Sequence, residues 1–189
     1  MPAPPVIARP GKESPLAHPT LLDRGVREIR RTDRGFDPAR FIGYAAMTFR
    51  DVETARMARD ADRLRDRLTP EMYADLLAFC EALRSTGRSL RFDDVEVTAQ
   101  ATEAWQDGDR DYLTVYVAGS MLGHTVEDAT GKVLAGSETT PIPVEDFLTF
   151  TRPAGLNFWM LSIIQGSREL RGKSSGADRD HGVEPSGTI

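Results

Sequence analysis

Apolar residues return every three or four positions in the first half of the chain and every two in the second. That change of period separates a helical part from a strand part. In "TLLDRGVREIRRTDRGF", Leu22, Val26 and Ile29 stand at i, i+4 and i+7, the apolar edge of a short helix whose charged side carries Arg24, Arg27, Arg30 and Arg31. Gly25 weakens this helix, which is short enough to form only when packed on something. Next, "DPARFIGYAAMTFRDVETARMARD" sets Asp37 as N-cap ahead of Pro38, where a missing N–H costs nothing; Phe41, Tyr44, Ala45, Phe49 and Val52 then line a core-facing side. After a polar stretch, "TPEMYADLLAFCEALRSTG" repeats the design. Thr69 caps, Pro70 opens the first turn, Met72, Leu76, Cys80 and Leu83 form the stripe, and Gly87 ends the helix.

From Ser89 onward the pattern is that of strands. Val95, Val97, Ala99 and Ala101 alternate with Asp94, Glu96, Thr98 and Gln100, and Leu113, Val115 and Val117 alternate with Tyr112, Thr114 and Tyr116. "QDGD" and the Thr130–Gly131 pair supply hairpin turns. The last apolar stretch, "VEDFLTFTRPAGLNFWMLSII", reads as two strands joined by a Pro-Ala-Gly turn and closes the sheet. Strand parity puts Leu148, Phe150, Trp159, Leu161 and Ile163 on the face toward the helices, and Phe147, Thr149, Phe158, Met160 and Ile164 on the other. Helices followed by a run of antiparallel strands make an α+β fold, with N-terminal helices packed on one face of a curved antiparallel sheet.

Length and composition fit one domain with tails, since 189 residues at 40% hydrophobic and 28% charged can bury a proper core. Residues 1–19 hold six prolines and read as a flexible leader; residues 172–189 read as a disordered tail, leaving 20–171 as the domain. A formal charge of -5 argues against nucleic acid as a partner, because phosphate binding needs clustered Lys and Arg. A single cysteine excludes an internal disulfide and a Cys-rich zinc site, and Cys80 within "YADLLAFCEAL" reads as a buried structural thiol. The opening "MPAPPVIARP" lacks the apolar core of a signal peptide, and no apolar stretch approaches the ~20 residues that cross a bilayer. The expected location is cytoplasmic, or peripheral on the inner face of a membrane.

Several segments in order carry a family resemblance: "DRGFDPARFIGYAAMTF", "LRDRLTPEMYADL", "DYLTVYV", "DATGKVLAGS", and "VEDFLTFTR" followed by "FWMLSIIQ". Over roughly Thr32 to Gln165 the chain resembles the Tim-type import-motor scaffold domain. That is the C-terminal domain of the inner-membrane translocase's forty-four kilodalton subunit, with its bacterial relatives, within the nuclear-transport-factor-2-like superfamily of cone-shaped α+β folds. Leu148 stands where the family usually has Trp, and the zinc ribbon of some bacterial relatives has no counterpart here.

The resemblance implies a noncatalytic binding or scaffold domain that engages an unknown protein partner or an anionic membrane surface, in protein translocation or membrane-associated assembly. It implies no cofactor and no metal. It also implies a hydrophobic cavity, here lined by Tyr44, Met72, Leu148, Phe150, Trp159 and Leu161, for which a filled core is the alternative. Relatives are thought to touch anionic lipid through N-terminal amphipathic helices, which points to Arg24, Arg27, Arg30 and Arg31. Five Arg here face Asp23, Glu28 and Asp33, so internal ion pairs such as Glu28 with Arg31 or Arg24 compete with that role. The outward apolar set of the last hairpin suits either a homodimer surface, as in many members of the superfamily, or a cover formed by the leader.

The second functional class is a small-molecule-binding protein or an isomerase or dehydratase of the same superfamily. Asp146, on the parity of Leu148 and Phe150, is its best candidate base, with His124 the other; Arg152 is the expected ion-pair partner of Asp146. His18 and His181 fall in the leader and tail, and neither "GKESP" nor "TGKVLAGS" has phosphate-loop spacing.

Overall fold

The computed structural model describes residues 19–155 and 158–166. Helices α1 (Pro19–Thr32), α2 (Pro38–Ala58) and α3 (Pro70–Ser85) come first, with a 3-10 helix (Ala61–Arg67) between the last two. Strands β1 (Arg88–Asp107), β2 (Arg110–Glu127), β3 (Val133–Pro153) and β4 (Met160–Gly166) follow and pair in chain order as an antiparallel sheet, curved and unclosed. The architecture is therefore α+β, as the change of period indicates.

Both long helices start where their caps predict. Asp37 Oδ1 accepts from the Ala39 amide at 3.0 Å, and Thr69 Oγ1 accepts from the Met72 amide at 3.3 Å. The polar stretch between α2 and α3 is not a plain loop. Asp60 caps the 3-10 helix through the Asp62 amide at 3.2 Å, and Ala61 and Leu64 turn inward. From α2, Ala45, Phe49 and Val52 meet Leu113, Val115 and Val117 of β2, Leu148 and Phe150 of β3 and Leu161 of β4 in one core, with Met72, Leu76 and Cys80 of α3 completing it.

Helix α1 lies on β1. Leu22, Val26 and Ile29 face the sheet, and Gly25 makes the approach possible: a Cβ there would stand 1.7 Å from the carbonyl oxygen of Ala104. Gly25 thus serves the contact that holds this short helix in place, beyond its propensity penalty.

The expected alternation holds from Val95 to Ala101 in β1 and keeps Leu113, Val115 and Val117 of β2 inward, although Thr114 is buried as well, but it breaks in β4. Thr149 pairs with Ile163 and Phe150 with Leu161, which leaves Ser162 as an extra residue whose Oγ donates to the Thr149 carbonyl at 2.8 Å. This bulge exchanges the faces of the following residues. Ile163 is exposed and Ile164 packs on the core, a reversal of the simple parity. Pro19, expected in the leader 1–19, opens α1, while residues 1–18 of that leader, residues 167–171 of the expected domain and the tail 172–189, with His18 and His181, lie outside the described residues. Among the described residues no helix is long and apolar enough to cross a membrane.

Candidate functional site

The turn between α1 and α2 leaves a cavity of about 450 Å³ over the open ends of β3 and β4. Its aromatic wall follows from spacing along α2. Phe36 and Phe41 occupy the positions of a hydrophobic staple around the Asp37 cap, and here both rings rest on Trp159, at centroid distances of 5.6 and 5.2 Å. Tyr44, one turn further on, donates from its hydroxyl to the Trp159 carbonyl at 3.1 Å. Phe158 stands exposed at the rim.

Beneath this wall lies a buried charge. Arg152 follows Leu148 and Phe150 on the inward face of β3 and is 1% exposed. Its Nε donates to Asp111 Oδ2 at 3.0 Å, across the β2–β3 register, and Gln106 holds the other oxygen of Asp111 at 3.0 Å. Its Nη2 lies 2.9 Å from Asp33 Oδ2, yet off hydrogen-bond geometry, so this buried nitrogen has no hydrogen-bond acceptor among the described residues. The guanidinium sits 4.5 Å from the Trp159 ring centroid and 5.6 Å from that of Phe36. A second arginine, Arg67, lines the cavity while held by Asp51 at 2.6 Å and by Thr48 Oγ1 at 2.8 Å.

Of the six cavity residues expected from the sequence, Tyr44 and Trp159 line this space. Met72, Leu148, Phe150 and Leu161 are packed in the core beneath it. The expected ion pair of Arg152 with Asp146 does not form, because six residues of extended strand separate them by roughly 20 Å; Arg152 uses Asp111 and Asp33. Sequence reading missed Asp33, Phe36, Arg67 and the true environment of Arg152. The staple spacing of Phe36 and Phe41 was the one local signal available.

The two candidate bases lie elsewhere. His124, on β2, approaches Glu138 at 3.8 Å, and its buried Nδ1 has no hydrogen-bond partner among the described residues. Asp146 is near Glu53 of α2, whose carboxyl is pushed up by burial, pulled back by Arg56 and raised further by Asp146. Neither His124 nor Asp146 lines the cavity. Cys80 is fully buried and its thiol is pushed up by that burial, the state of an inert structural thiol.

The arginines of α1 divide into two kinds. Arg24 pairs with Glu28 at 3.4 Å, and Arg30 Nε donates to the Phe36 carbonyl at 2.9 Å, which ties α1 to the turn over the cavity. Arg27 and Arg31 are exposed and have no ion-pair partner among the described residues.

Comparison with known protein families matches the Tim44-like domain over residues 22–166. The chain belongs to the Tim44-like domain family. This Tim44-like domain has the expected α+β layout, N-terminal helices on a curved antiparallel sheet. Among solved structures, a ketosteroid isomerase-like protein from Erwinia carotovora atroseptica is similar over 64% of this chain and 87% of its own, at 16% identity and a TM-score of 0.34. No curated protein matches the chain.

Proposed function

We propose that this Tim44-like domain is a noncatalytic binding module that meets an anionic membrane surface through the outer side of α1, as a peripheral scaffold in translocation or membrane-associated assembly. The observation that carries this reading is the division of α1 into two sides. Leu22, Val26 and Ile29 face the sheet, while Arg24, Arg27 and Arg31, at i, i+3 and i+7, face away from it. The apolar edge of the helix is thus already used inside the fold, and Leu21 is the large apolar side chain it leaves exposed. Contact through such a surface is electrostatic rather than insertive. Each arginine near an anionic surface contributes about 1 kcal/mol, so binding is modest and weakens with salt. Flotation with anionic and neutral vesicles tests it: the protein should rise only with the anionic ones, and R27E/R31E should stay at the bottom. Flotation with neither kind refutes the membrane reading and leaves an acidic protein partner for α1.

A second contact reading rests on the sheet face opposite the helices. Trp105 stacks on Tyr112 at 4.9 Å, Tyr116 meets Phe147 at 4.9 Å, and Ile163 is exposed beside them. An apolar face of this kind, which none of the described residues covers, suits a homodimer. Sedimentation of the wild type against I163E tests that assignment.

A further inference from the structure

We infer that the cavity under the α1–α2 turn is a binding site for a small amphiphilic carboxylate, whose carboxylate group takes the place of Asp33 on Arg152. The site involves none of the outward arginines of α1, so it stands or falls independently of membrane contact.

A guanidinium is a forked donor suited to carboxylates, and its most stable arrangement is two parallel N–H···O bonds. Arg152 has that arrangement with neither of its partners. Asp111 is fully buried and fixed by Gln106, and it takes the Nε hydrogen. Asp33 covers Nη2 at 2.9 Å without accepting a hydrogen bond from it. A buried donor in this state is offset by charge but keeps part of the penalty of its lost hydration. A carboxylate arriving from the cavity removes that penalty.

Asp33 is the partner that can yield. It sits on the turn rather than in a strand, its side chain is 17% exposed, and its Oδ1 accepts from the Gly35 amide at 3.1 Å. Swinging Oδ2 out returns the group to water. The exchange leaves the number of carboxylates around Arg152 unchanged, so no net charge is buried.

The rest of the cavity selects the ligand's other end. Phe36, Phe41, Tyr44, Phe158 and Trp159 form an apolar wall directly beside the guanidinium. A volume of about 450 Å³ lies within the roughly 300–1,000 Å³ typical of small-molecule sites, which are apolar with few placed polar groups. The chemistry selected is therefore one anionic head on a short apolar body.

The experiment uses the full chain with W105F, which leaves Trp159 as the only tryptophan of the two. Octanoate and octanol are titrated while Trp159 fluorescence is followed, in this background and with D33N added. Asn retains an oxygen for the Gly35 amide, and circular dichroism confirms the fold of each protein. Octanoate should bind in preference to octanol, and D33N should tighten octanoate several-fold while leaving octanol unchanged, because a competing carboxylate has gone. Absence of octanoate binding, equal binding of octanol, or octanoate binding that D33N leaves unchanged or weakens overturns the proposal. A second variant, D23N, alters an exposed carboxylate of α1 that does not line the cavity and should leave octanoate affinity as it was.

Discussion

Gly25 of α1 and Ala104 of β1 touch backbone to backbone, with no room for even a methyl group between them. The helix that carries the exposed arginines is seated through this contact. G25A should therefore destabilise the domain despite its better helix propensity, by about 1–3 kcal/mol as for an overpacked core and toward the upper end because the obstacle is a carbonyl. Urea denaturation measures it. Wild-type stability in G25A would mean that α1 has another way of sitting on the sheet.

Asp111 and Arg152 form a pair buried on both sides, with side chains at 0% and 1% exposure. Removing Asp111 takes away the carboxylate hydrogen-bonded to Arg152 and leaves only the Asp33 contact, so D111A should cost about 3–5 kcal/mol. D33N should cost much less, since Asp33 is the more exposed partner and makes no hydrogen bond to Arg152. Denaturation midpoints of the two variants compare them directly, and equal losses would show that the turn carboxylate is as essential as the strand one.

Glu53 gives a pH signature of its own. Burial, with a further contribution from Asp146, raises its carboxyl above the ordinary 4.5 in spite of Arg56, so the folded protein holds the proton more tightly than the unfolded chain. The resulting stability is complete below pH 4.5 and fades as pH rises through the higher folded value. E53Q lacks that decline. Its stability relative to wild type should climb with pH above 4.5 in a series of urea melts, and a constant difference would show that burial does not set this group's titration.

Asp128 has the opposite sign. The Ser89 hydroxyl at 2.5 Å and the Arg59 guanidinium at 2.6 Å hold its carboxyl below the ordinary 3.8. Its contribution is present above pH 3.8 and is lost as pH falls through the depressed folded value. The same carboxylate clips the β2–β3 turn to the end of α2, so D128N should blunt the acid-side loss and speed amide exchange at Gly131, whose N–H donates to the Glu127 carbonyl at 2.8 Å. Unchanged exchange would show that the turn holds itself.

Local chemistry was legible in the sequence. The Asp37–Pro38 and Thr69–Pro70 starts, the stripe on α2 and the Leu113, Val115, Val117 alternation each depend on neighbours a few residues away. What escaped depends on distant partners. Arg152 meets Asp33 and Asp111 across separations that no periodicity encodes. The Ser162 bulge inverts Ile163 and Ile164 although their alternation with Leu161 looks regular. A glycine in α1 reads as a weakness until Ala104 is seen against it. The cavity is the clearest case: Tyr44 and Trp159 were foreseeable as inward aromatics, but which inward residues border space and which fill it is decided by packing between elements.

The role of α1 is tested most directly by binding to phosphatidylglycerol-containing vesicles as salt is raised from low to physiological concentration, for the wild type and R27E/R31E. Wild-type binding should be measurable at low salt, fall steadily as salt rises and disappear in the double variant, with neutral vesicles giving none. Binding that ignores salt, or survives R27E/R31E, would mean that the outward arginines of α1 are not the contact surface.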